Sequence, residues 1–119
     1  MDGNKIKAIL IDSTAQEVRE IEIENKLEAY YAAIGCNTID AVYPGELEGR
    51  DVVYVDDNGL LDGPQHFFHL AGFPTPLAGN GLVIGTDDEG ESVDAATPVD
   101  QVRQGVMFKD LAQVRREYL

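Results

Sequence analysis

The hydrophobic pattern is organised around two runs of consecutive apolar residues, Val52-Val53-Tyr54-Val55 and Leu82-Val83-Ile84. Each is short and largely β-branched. Asp57-Asn58-Gly59 follows the first, and Gly81 and Gly85 bracket the second. Such runs predict strands buried on both faces at the centre of a sheet. Lys5 to Asp12 predicts another strand, with Ile6, Ala8 and Leu10 on one face and Ile9 and Ile11 making the second face apolar too. After the polar turn Ser13-Thr14-Ala15-Gln16, the segment Glu20-Ile21-Glu22-Ile23-Glu24 alternates strictly, the pattern of a strand with one face in water. The two strands are expected to form an antiparallel hairpin. Val18 falls out of phase with Ile21 and Ile23, which predicts a bulge near Arg19.

Asn25 followed three residues later by Glu28 has the form of a capping box, and Leu27, Tyr30, Tyr31 and Ile34 recur at helical spacing until Gly35 supplies a left-handed stop. A helix this short must dock on the sheet to persist. Thr38 to Tyr43 predicts a third strand, stopped by Pro44-Gly45, and Asp51 to Asp56 a fourth. Asn58-Gly59 predicts a type I′ hairpin that pairs Leu60-Leu61 back against Tyr54-Val55, with Asp62-Gly63-Pro64 breaking the strand. Phe67, Phe68, Leu70 and Phe73 supply bulk for a core. The Leu82 to Thr86 strand is followed by a turn at Asp87-Asp88-Glu89-Gly90, across which Ser92-Val93-Asp94 pairs back. Thr97-Pro98-Val99-Asp100 predicts a helix start with Thr97 as N-cap, interrupted at Gly105. Met107, Leu111, Val114 and Tyr118 then predict one face of a final helix whose other face carries Lys109, Arg115 and Arg116. The fold class expected is α+β: a mainly antiparallel sheet, one short inserted helix and C-terminal helices. Residues 1–119 are expected to form one domain, with a core over 5–94 and a helical extension over 97–119.

Length and charge narrow the function. With 119 residues the chain has the size of one domain. No apolar run approaches the ~20 residues that span a bilayer, and Met1 to Lys5 lacks the pattern of a signal peptide, so a cytoplasmic location is expected. Cys36 is the single cysteine, which rules out an internal disulfide and paired-cysteine metal sites. The net charge is -13, unevenly distributed: residues 1–102 hold 20 acidic and 5 basic side chains, whereas residues 103–119 hold 2 acidic and 4 basic. Such acidity repels the phosphates of nucleic acids and anionic membranes and attracts basic partners. The plainer account is that it keeps the protein soluble.

The chemistry-bearing residues cluster in the irregular stretch Asp62 to Gly81, which holds both histidines and three of the five prolines. His66 and His69 stand at i, i+3. On a helix that spacing brings both rings to one metal, with Asp57 or Asp62 as a carboxylate ligand; on a strand it turns them to opposite faces. Flanking Phe67, Phe68 and Leu70 favour a structural role. Asp87 to Glu91 lacks the ordered oxygen spacing of a calcium loop. Gly79-Asn80-Gly81 offers backbone N–H groups to a phosphate but precedes a strand and has no lysine nearby. Cys36 follows a helix C-terminus, where the dipole disfavours a thiolate. Neither a metal nor a cofactor is expected. The competing enzymatic or ligand-binding reading places Asp57, His66, His69 and Asn80 in one cleft, and it stands or falls on whether those four converge.

Four stretches in order, Lys7 to Asp12, Ile34 to Ile39, Val55 to Leu61 and Ala78 to Gly85, resemble a family of short bacterial and phage proteins known only as a domain of unknown function. The resemblance implies a gene carried by phages or other mobile elements and supplies no catalytic residues. The functional expectation is a non-enzymatic accessory protein of a phage or mobile element that binds a host macromolecule through its acidic surface, a basic host protein being the partner that the charge favours. Two alternatives stand beside it: the ligand or hydrolase site just described, and a self-associating module that dimerises through Met107, Leu111, Val114 and Tyr118.

Overall fold

The computed structural model describes residues 4–45, 47–59, 63 and 65–118. Its main sheet contains β1 (Lys5–Asp12), β2 (Glu17–Glu24), β3 (Ile39–Val42), β4 (Val52–Asp56) and β7 (Gly81–Thr86) in the order β2-β1-β7-β4-β3. The two apolar runs are neighbours at its centre. β7 lies between β1 and β4 with Leu82, Val83 and Ile84 fully buried, and every pairing is antiparallel. The short β8 (Ser92–Val93) pairs back on the end of β7.

The first hairpin is regular. Its register runs unbroken from Lys5 opposite Glu24 to Asp12 opposite Glu17, so the bulge expected near Arg19 is absent. Val18 is out of phase with Ile21 and Ile23 because it faces the other side of the sheet, opposite Ile11, where it is buried with Val102. The sheet is therefore packed on both faces as far as its edge strand.

One face, lined by Ile6, Ala8, Leu10, Ile23, Leu82 and Ile84, is covered by Tyr30 and Ile34 of α1 (Leu27–Ile34). Gly35 ends that helix in the left-handed region at φ 86°, its N–H bonded to the Tyr31 carbonyl. The expected capping box does not form. Lys26 holds the N-cap position with no side-chain bond, while Asn25 accepts from the Tyr30 hydroxyl and donates to the Ser92 carbonyl. A tertiary pair of bonds has taken the residue that the local pattern assigned to the cap. Leu27 stays 48% exposed, so the docked stripe is narrower than its spacing suggested.

The opposite face, with Ile9, Ile11, Val18, Val53, Val55 and Val83, packs against α2 (Val99–Gly105) and a second sheet ordered β6-β5-β9. This sheet is built from β5 (His66–Leu70), β6 (Leu77–Ala78) and β9 (Val106–Asp110), and Phe68 and Leu70 point from it into the shared core. On its outer side Val114 and Leu111 of α3 (Leu111–Tyr118) pack on Phe67 and Ala78. Four layers result, α/β/β/α, and the α+β expectation holds.

Three local expectations fail here. The helix expected from Met107 is a strand first: α2 ends at Gly105, and Val106–Asp110 pairs residue by residue with Leu70–His66. The exposed edge of β5 recruits a segment whose spacing fits either structure. Thr97 is not the N-cap of α2; Pro98 holds that position, and the buried Thr97 hydroxyl accepts from the Glu48 N–H at 2.9 Å. Asn58-Gly59 does not form a type I′ turn, since neither residue has positive φ. Gly59 instead donates to the Asp56 carbonyl at 3.1 Å and is buried, a Cβ placed on it falling 3.1 Å from that of Ala78. The expected pairing of Leu60-Leu61 and the break at Asp62 and Pro64 lie outside the described residues.

Candidate functional site

The four residues of the ligand-site expectation each have their own surroundings. Asp57 is exposed in the turn after β4, its N–H donating to the Thr38 carbonyl at 3.2 Å. His66 and His69 lie on a strand, so their spacing turns the rings to opposite faces. His66 is exposed, opposite Asp110. His69 has both ring nitrogens engaged: Nε2 is 2.8 Å from the Phe73 carbonyl and Nδ1 3.3 Å from the Tyr118 hydroxyl. A carbonyl only accepts, so in neutral His69 Nε2 carries the proton and Nδ1 accepts from Tyr118. Asn80 Oδ1 accepts from the Ser13 N–H at 2.9 Å, and the buried Ser13 hydroxyl donates to the Gly79 carbonyl. Those two bonds tie the first hairpin to the entry of β7. His69 borders a 330 Å³ cavity with Phe73, Gln104 and Met107, which Asp57, His66 and Asn80 do not line. Among the described residues no group of three or more His, Cys, Asp or Glu is placed to hold a metal ion.

A different polar cluster forms beside His69. Lys109, assigned by helical spacing to a solvated face, is buried on β9; its ammonium meets the Glu117 carboxylate at 2.5 Å and lies 5.7 Å from the centre of the Tyr118 ring. Only the strand pairing that brings β9 against β5 makes this cluster, so nothing in the spacing of the residues announced it. Of the four residues expected to form one helical interface, Val114 is buried and Leu111 half-buried against the protein's own second sheet, whereas Met107 is 62% and Tyr118 40% exposed.

Two further cavities bear on chemistry. Cys36 is half-buried in one of 380 Å³ with Asn37, Asp56 and Asn58, and burial, followed by the Asp56 charge, pushes its thiol above the ordinary range, away from nucleophilic use. The larger, 670 Å³, lies beside the ends of β3 and β7, where Tyr43 is 76% exposed and Arg50 pairs with Asp88 at 2.9 Å.

The acidic residues are spread over the surface, and few are neutralised. Arg19 pairs with Asp12 and Glu17, Lys26 with Glu24, Arg50 with Asp88 and Arg103 with Asp100. The exposed Glu20, Glu22, Glu28, Glu48, Glu89 and Glu91 have no ion pair among the described residues. Glu20 and Glu22 stand on β2, an edge of the main sheet. No described helix is long and apolar enough to cross a membrane.

Fold and surface together define a two-sheet α+β domain, helix-covered on both outer sides, with an acidic exterior. The chain belongs to the family described as a domain of unknown function, DUF3846, which matches residues 6–107. The match continues past residue 94 through α2, so that helix lies within the family's span rather than in an extension of it. Neither a curated protein nor a solved structure matches the chain.

Proposed function

We propose that the domain is a non-enzymatic binding module, an accessory protein of a phage or other mobile element that captures a basic host protein through its acidic exterior. The observation that carries this reading is the set of exposed carboxylates without ion-pair partners among the described residues, on a chain of net charge -13. Unneutralised surface charge of one sign steers oppositely charged partners and repels phosphates. The placement in a mobile element rests on the resemblance of the four sequence stretches alone. Capture from a host lysate at low salt, followed by elution in rising salt, tests the reading. Retained proteins should be enriched in high isoelectric points and should elute well before ~1 M salt, where screening lengths fall to about 3 Å. A retained set with no basic bias, or binding indifferent to salt, would overturn it.

A further inference from the structure

The main sheet ends at β2 with backbone groups that nothing in the described structure uses. Lys7 donates its N–H to Asp94 Oδ1 at 2.8 Å and accepts from the Ala95 N–H at 2.9 Å, so both of its backbone groups point away from β2. N–H and C=O of one strand residue point the same way and alternate along the strand. β1 therefore turns Ile6, Ala8, Leu10 and Asp12 toward β2, where they meet Ile23, Ile21, Arg19 and Glu17. The backbone groups of Val18, Glu20, Glu22 and Glu24 are left facing outward. Arg103 closes the Val18 end by donating to its carbonyl at 2.8 Å, and the Lys26 N–H takes the Glu24 carbonyl at 2.9 Å. Between them the N–H and C=O of Glu20 and Glu22 have no partner among the described residues.

The other edge of the sheet is less accessible. β3 is four residues long, and the Asp40 carboxylate covers the outward N–H of Ala41 at 3.0 Å.

We propose that the Glu20–Glu22 edge of β2 is a docking edge, and that its occupant is an extended segment of a basic protein that joins the sheet as an added strand. Main-chain bonds of this kind supply affinity, and alternate side chains supply selectivity. Charge decides the occupant. A second copy pairing antiparallel across this edge would bring Glu20 and Glu22 against their own counterparts, and like charges directly opposed on a sheet are destabilising. A lysine- or arginine-bearing strand puts cations there instead. Ile21 and Ile23 alternate onto the α1 side, and Leu27, at the start of α1, is half exposed, so apolar residues between the cations suit that side. The occupant is therefore a strand alternating basic and apolar residues.

The inference rests on the basic-partner reading above, and its test separates the two. A synthetic peptide alternating lysine and valine is titrated at low salt into isotope-labelled protein. Amide shifts and slowed hydrogen exchange should concentrate at Glu20 and Glu22. Glu22→Gln removes a charge and keeps the outward N–H; Glu22→Pro removes both and leaves the inward ladder intact. With both variants checked for native melting, Glu22→Gln should weaken the peptide a few-fold and Glu22→Pro by roughly tenfold or more. Binding whose shifts spread over the acidic surface, or that the two variants weaken equally, would overturn the docking edge and leave the acidic reading standing. No binding at low salt would overturn both.

Discussion

The Asp51 carboxylate accepts the Thr97 backbone N–H at 2.8 Å and that of Ala96 at 2.9 Å, fastening the residue before β4 to the residues before α2. Both Asp51 and Thr97 are buried, and the Thr97 hydroxyl returns the connection by accepting from Glu48. The loop before the central strands and the approach to α2 are thus one clasp. Asp51→Ala leaves two backbone N–H groups without their acceptor and should lower stability by about 2 to 3 kcal/mol in denaturant titration. A loss under about 0.5 kcal/mol would show that water replaces the carboxylate.

Two glycines are expected to respond differently to alanine. Gly35 takes φ 86° with nothing within 4 Å of a Cβ, so Gly35→Ala meets only the left-handed strain and should lose about 1 kcal/mol. A Cβ on Gly85 lands on the Asp94 carbonyl, so Gly85→Ala must push β8 off β7 and should lose more than about 2 kcal/mol. Equal losses in paired thermal melts would contradict the contact.

Asp12 is held below the usual carboxylate range, chiefly by the Ala15 N–H and further by Arg19, against an opposing desolvation. A depressed folded-state value adds stability above the unfolded-state value of about 3.9, and this is lost as pH falls through the folded value. Asp12→Asn should therefore flatten the fall in stability on the acid side of that point. Denaturation series from about pH 3 to pH 7 would show two curves converging at low pH; a constant offset between them would refute the contribution.

Val114 and Leu111 are covered by Phe67 and Ala78 of the same chain. Val114→Asp buries a charge beside Phe67 and should destabilise the domain by about 3 kcal/mol with no change in molar mass of the folded fraction. A variant that keeps its melting temperature but halves its molar mass by light scattering would show instead that this face is a dimer contact.

The parts of the fold legible in the sequence are those where local pattern and tertiary burial agree. β1, β4 and β7 have apolar residues on both faces and lie between other strands, and Gly35 stands where a helix must stop. Readings failed where a distant partner overrode a local signal. Asn58-Gly59 has hairpin chemistry, but Gly59 is packed against Ala78 from another sheet. Asn25 has cap chemistry, but Tyr30 and Ser92 bind it. Met107, Leu111, Val114 and Tyr118 have helical spacing, but pairing with β5 draws Val106–Asp110 into a strand and leaves the helix to begin at Leu111. The acidity of β2 was visible in Glu20 and Glu22, but its edge position was not, because strand order depends on pairings between residues 70 to 74 apart in sequence, as between Ile9 and Val83.

The second sheet carries a consequence for the order of events during folding. β5 and β6 precede the central strand β7 in the chain, while β9, which completes their sheet, follows it. The Phe68–Leu70 side of the core therefore cannot be closed until Val106–Asp110 docks, and the loop that must shut spans residues 71–105. Long-range closures of this kind slow folding and leave a strand edge bare in the interim. The vulnerable moment for this protein is accordingly the interval in which β5 is formed, β9 is still to dock, and a chaperone or a second nascent chain competes for the same edge.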